Sequence, residues 1–154
     1  MKANYFDHTA LEDDLIQVYL IIQVPDGRIL LYKNPKARVP RFPNDWQCTL
    51  SKSLIRGKKN KSALEDIVFA NFGWNREVIE EADFILRFGF NHKTIFVYKL
   101  SMDKRVVISP GTGASVFALP WGIVVNQVKN KQMEFTEETS AIVDVLSYHK
   151  IGDF

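Results

Sequence analysis

Lys52, Arg56, Lys58, Lys59 and Lys61 fall within ten residues, "KSLIRGKKNK", around a single glycine, Gly57. Ammonium and guanidinium groups bind phosphate oxygens through charge-assisted hydrogen bonds. A Gly57-Lys58-Lys59 turn would add backbone N–H donors, so Lys52, Arg56, Lys58 and Lys59 are candidate anion-binding residues. The G-x4-G-K-[ST] spacing of a P-loop is missing. Ser51 and Ser53 have no base nearby in sequence, and His8, His92 and His149 lack ligand spacing, which leaves nucleophilic and histidine-metal chemistry unsupported.

The cations belong to a wider imbalance. From Lys33 to Lys61 nine basic residues face one acid, Asp45, so that stretch is +8 and the remainder −6 in a chain of net charge +2. Such a run is either an ordinary solvated face or the footprint of an anionic partner: a nucleotide, a diphosphate metabolite or an RNA backbone. With 11 Phe and 3 Trp, several aromatics must belong to the core.

The elements that would position these residues follow from periodicity and punctuation. "LIQVYLIIQV" is a continuous β-branched and aromatic run, "PDG" a turn, and "RILLYK" the returning strand of a hairpin. "NPKARVPRFPND" holds three prolines and is expected as a loop, followed by a short strand at "WQCTLS". A helix is expected next, capped by Ser62, with Glu65 and Asp66 in its first turns. Leu64, Ile67, Val68 and Phe72 would form its buried face, and Gly73 would stop it. "ADFILRFGF" and "TIFVYKLSM" read as a hairpin turning at Asn91-His92-Lys93, and "SVFALP" as a further strand. Pro120 opens a helix through "WGIVVNQVKNK". Thr136 caps a last helix with Ile142, Val145, Leu146 and Tyr148 as its buried stripe. Strands with interspersed helices argue an α+β fold, expected as one domain over residues 1–154. The single cysteine, Cys48, permits no internal disulfide, and no stretch is long and apolar enough for a membrane span. A cytoplasmic setting is expected, because the acidic N-terminus does not read as a secretory signal.

The order of these elements, with a loop and helix after the third strand, resembles the Nudix superfamily, whose signature is G-x5-E-x7-R-E-U-x-E-E-x-G-U. "FPNDW" leading toward "GW" is similar to isopentenyl-diphosphate isomerase-type members. The resemblance implies an α/β/α sandwich with a mixed sheet, one helix after the third strand and two C-terminal helices. It also implies glutamates that hold Mg²⁺ against a diphosphate, and strand-borne aromatics around a nucleobase, for which Trp46, Phe42, Phe90 and Trp121 are the candidates. With Gly73-Trp74 placed on the terminal G-U, those positions carry other residues. The first glycine becomes Lys52, the loop glutamate Lys58, the Arg-Glu pair Asp66-Ile67, and the two metal-binding glutamates Ala70-Asn71. Trp46, Gly57, Ala63, Val68, Gly73 and Trp74 survive as scaffold. A second register, on "REVIEEADF", would need a helix running through Gly73.

The sequence therefore predicts a Nudix-like chain without the standard metal site. It is expected to bind a phosphorylated, nucleotide-like anion through Lys52, Arg56, Lys58, Lys59 and Trp46, with no cofactor. One alternative is a Mg²⁺-dependent diphosphate hydrolase using Asp66, Glu80 or Glu81; another is a regulatory protein-interaction module.

Overall fold

The structure is a computed structural model that describes residues 15–33, 46–47, 50–54, 58–102, 115–131 and 135–150. The expected loop at 34–45, Arg56 with Gly57, Phe42, Cys48 and His8 lie outside the described residues. Six strands, β1 (Leu15–Gln23), β2 (Ile29–Lys33), β3 (Leu50–Ser53), β4 (Asp83–Phe90), β5 (Lys93–Ser101) and β6 (Ser115–Leu119), form one mixed sheet. Its hydrogen-bonded order is β4-β5-β1-β2-β6, with β3 also paired to β1. Among the described residues, three α-helices, α1 (Asn60–Phe72), α2 (Trp121–Asn130) and α3 (Glu137–Tyr148), complete the α+β architecture. Contacts group residues 1–21 with 50–100, and 22–49 with 101–154.

In the first of these units, β3 runs antiparallel to β1, with Lys52 opposite Val18 and Ser51 opposite Tyr19. Of the expected strand at "WQCTLS", Trp46 and Gln47 make isolated bridges, Leu50 and Ser51 belong to β3, and Cys48 and Thr49 lie outside the described residues. Lys52 is a strand residue. β4 and β5 form the expected hairpin, closed by Asn91 and His92 at φ 50° and 60°; two successive positive φ values match the right-handed twist of the strands. Helix α1 buries Ala63, Leu64, Ile67 and Val68, while Phe72 is half-buried. These side chains recur every three or four residues, which gathers them on one face of the helix.

The second unit pairs β2 with β6 in antiparallel register from Ile29–Leu119 to Lys33–Ser115. Between β1 and β2, Gly27 at φ 93° closes the "PDG" turn, its N–H bonding Val24 O at 2.9 Å. Helix α3 starts as expected: Thr136 Oγ1 accepts from Thr139 N at 3.2 Å. Its buried stripe is Thr139, Ile142, Val143 and Leu146, a strict helical repeat. Tyr148, expected inside, is 70 % exposed because it lies two residues, more than half a turn, from Leu146.

Candidate anion site beside helix α1

Helix α1 begins one turn away from where Ser62 would have capped it. Lys59 occupies the cap position without a side-chain hydrogen bond, and Ser62 N donates to Lys59 O inside the first turn. Asn60 spends its amide elsewhere: Nδ2 donates to Tyr98 Oη on β5 at 3.0 Å. The helix start is thereby tied to the sheet, with Lys58, Lys59 and Lys61 exposed around it. Glu65 and Asp66, expected in the first turns, lie beyond the first turn, which holds no acid. Unbonded N–H groups at a helix start carry partial positive charge, so this end of α1 attracts anions.

Asp66 lies in the second turn, and Lys52 reaches it from β3. Lys52 Nζ donates to Asp66 Oδ2 at 2.7 Å. That hydrogen bond, together with the charges of Lys52 and Arg76, holds the Asp66 carboxyl below the usual carboxylate range. Arg76 stands just past the helix end and stacks its guanidinium over the Phe69 ring, 4.1 Å from the centroid. Lys52 and Asp66, two of the sequence candidates, are thus brought together, as partners to one another.

The helix stops where the sequence placed its stop. Gly73 adopts φ 68°, its N–H bonding Phe69 O at 2.8 Å, and Trp74 N reaches Val68 O at 3.3 Å. Trp74 then stacks on Phe72, with ring centroids 4.4 Å apart. Arg76–Glu81 form a separate 3₁₀ helix, capped by the Asn75 side chain, with Ile79 buried and Glu80 and Glu81 exposed. A continuous signature helix through "REVIEEADF" is therefore not formed.

Trp46 belongs to the second unit. It is half-buried, and its carbonyl accepts from Thr136 N at 3.1 Å at the entry to α3. Sequence reasoning did not single out Asn60, Phe69 or Tyr98, and considered Arg76 only within the rejected helix register. Their signal is a polar or cationic residue meeting an aromatic across elements, which no local spacing encodes.

No family model matches this sequence, and no curated protein matches it. Solved structures do. One is a MutT structure from the Aliivibrio salmonicida and Vibrio cholerae pair, with a TM-score of 0.63 at 15 % identity over 91 % of this chain and 98 % of that one. The C-terminal domain of mouse MUTYH, solved in complex with human PCNA, gives 0.62 at 15 % identity over 89 % and 90 %. The E. coli dihydroneopterin triphosphate pyrophosphohydrolase gives 0.58 at 14 % identity over 84 % and 92 %. The chain therefore has a Nudix-like fold.

Nudix proteins normally use a divalent metal, which tests the residues of α1. Mg²⁺ takes about six oxygen ligands in strict octahedral geometry. Here Asp66 is engaged by an ammonium group, and Ala70, one turn on, has no ligand atom. Among the described residues, no three His, Cys, Asp or Glu side chains cluster as a metal site. The described residues of β3 and α1 do not fit the ion. No helix of the described residues is long and apolar enough to cross a membrane.

Proposed function

We propose that this chain is a Nudix-fold protein that binds a phosphorylated, nucleotide-like anion directly, with lysines in place of a metal cage. The observation that carries it is the Lys52–Asp66 contact at 2.7 Å: the one acid on the signature face of α1 is neutralised by a lysine from β3. Exposed cations stand at both ends of the helix, Lys58, Lys59 and Lys61 at its start and Arg76 just past its end, while the exposed acids Glu77, Glu80 and Glu81 belong to the following 3₁₀ helix. A phosphate arriving there competes with Asp66 for Lys52 and meets Lys58 and Lys59 without competition from a carboxylate of the first turn. Arg56, by its position in sequence between these lysines, is assigned to the same anion. Trp46 is retained as a ligand-binding candidate on its residue type alone.

The test is thermal stabilisation by nucleoside di- and triphosphates in EDTA. The protein is expected to gain melting temperature in proportion to ligand phosphate charge, and Lys58→Glu is expected to abolish the gain. Magnesium-dependent phosphate release, lost on joint Glu80→Gln and Glu81→Gln substitution, would instead establish the hydrolase. A second reading is favoured by the PCNA-bound MUTYH neighbour: a Nudix-like domain used as an interaction module. It predicts no shift with any phosphate ligand and a stable complex with a protein partner.

A further inference from the structure

Phe84 is an exposed aromatic that the lysines do not explain. It lies at the start of β4, opposite Tyr98 on β5, and is 48 % exposed. The pairing slips between Phe84 and Leu86, so Phe84 shares the face of Tyr98 and Phe96 instead of the buried face of Leu86 and Phe88. Its ring centroid is 5.4 Å from Tyr98 at 61° and 6.4 Å from Phe96 at 47°. Tilted and edge-on contacts of this kind hold a ring in place without covering it, so the exposed half of Phe84 is a fixed flat surface. The next contact leads to the cations. Tyr98 Oη accepts from Asn60, and Asn60 directly follows the exposed Lys58 and Lys59.

A fixed exposed ring joined to a cationic segment is the combination that binds unpaired bases: the base stacks and the phosphate meets the ammonium groups. We propose that Phe84, backed by Tyr98 and Phe96, is the stacking platform for an unpaired nucleobase whose phosphate is held by Lys58 and Lys59. This rests on the anion-binding reading above and adds to it a base, which that reading does not require. The exposed Lys58 and Lys59, one hydrogen bond beyond Tyr98, favour this occupant over a second copy of the chain paired along β4, with Glu80, Glu81 and Asp83 exposed on the other side of the ring's approach in sequence. The bulge at Phe84–Leu86 bends that end strand and guards it against edge pairing. The base comes from a free nucleotide or from single-stranded nucleic acid, and both present the same chemistry.

The experiment is calorimetric titration of the full chain in EDTA with ATP, with base-free tripolyphosphate and with a short single-stranded oligouridylate. ATP is expected to bind roughly tenfold more tightly than tripolyphosphate. Phe84→Ala is expected to erase that difference while leaving tripolyphosphate affinity unchanged, and Phe84→Trp to preserve it. An oligouridylate that outcompetes ATP with the same sensitivity to Phe84→Ala would identify single-stranded nucleic acid as the source. Equal affinity for ATP and tripolyphosphate would overturn the platform and leave the lysine site standing. A preference for ATP that survives Phe84→Ala would also overturn it, placing the base elsewhere. Binding of none of the three would overturn both readings.

Discussion

Lys52 and Asp66 meet across the β3–α1 corner at 2.7 Å, and the consequence for Asp66 is a titration displaced to lower pH. A folded-state value below the unfolded one means that the pair's stabilisation is present above the unfolded value. It is lost as pH falls through the lowered folded value. Carbon-detected NMR of the Asp66 carboxyl is expected to give a midpoint below the usual carboxylate range, moving up to that range in Lys52→Met. An unchanged midpoint in the variant would show that the hydrogen bond is not the cause. Each residue was visible in the sequence, Lys52 as a phosphate ligand and Asp66 as a weak metal ligand. Their pairing was not, because they stand 14 residues apart on a strand and a helix, and no periodicity links the two. The same holds for Asn60 and Tyr98, 38 residues apart.

Helix α1 shows which signals survive from sequence to element. Its stop was legible because Gly73 takes a backbone conformation, φ 68°, that other residues rarely adopt. Its start was misread because Ser62 is a preferred cap type, whereas the Asn60–Tyr98 bond anchors the chain two residues earlier. Strand β3 runs on to Ser53, two residues past "WQCTLS", because its pairing with β1 extends to Gln17–Ser53, a partner that local composition does not reveal. Two glycines with equally open surroundings separate backbone strain from packing. A Cβ at Gly73 or at Gly122 would meet nothing within 4 Å, but only Gly73 has positive φ. Gly73→Ala is expected to destabilise the chain by about 1–2 kcal/mol, the cost of a left-handed residue with a Cβ. Gly122→Ala, inside α2, is expected to stabilise it by about 0.5–1 kcal/mol. Denaturant midpoints that move in opposite directions would bear this out; movement in the same direction would refute it.

At the scale of the molecule, the order of strands and helices carried the fold, because each element announces itself by apolar period and by turn residues such as Pro25-Asp26-Gly27 and Asn91-His92. The function was harder to read, since the same fold in its neighbours includes a pyrophosphohydrolase and a PCNA-bound domain. The observation particular to this chain's sequence is the uneven spread of its charge, +8 between Lys33 and Lys61 against a net +2. The most direct test is calorimetric titration of tripolyphosphate into wild type and Asp66→Asn, each in EDTA and in Mg²⁺. Direct binding by lysines predicts a complex in EDTA that Asp66→Asn tightens, because Lys52 is released to the ligand, and that Mg²⁺ weakens by competing for the phosphates. A complex that forms only with Mg²⁺ and is lost in Asp66→Asn would contradict the account.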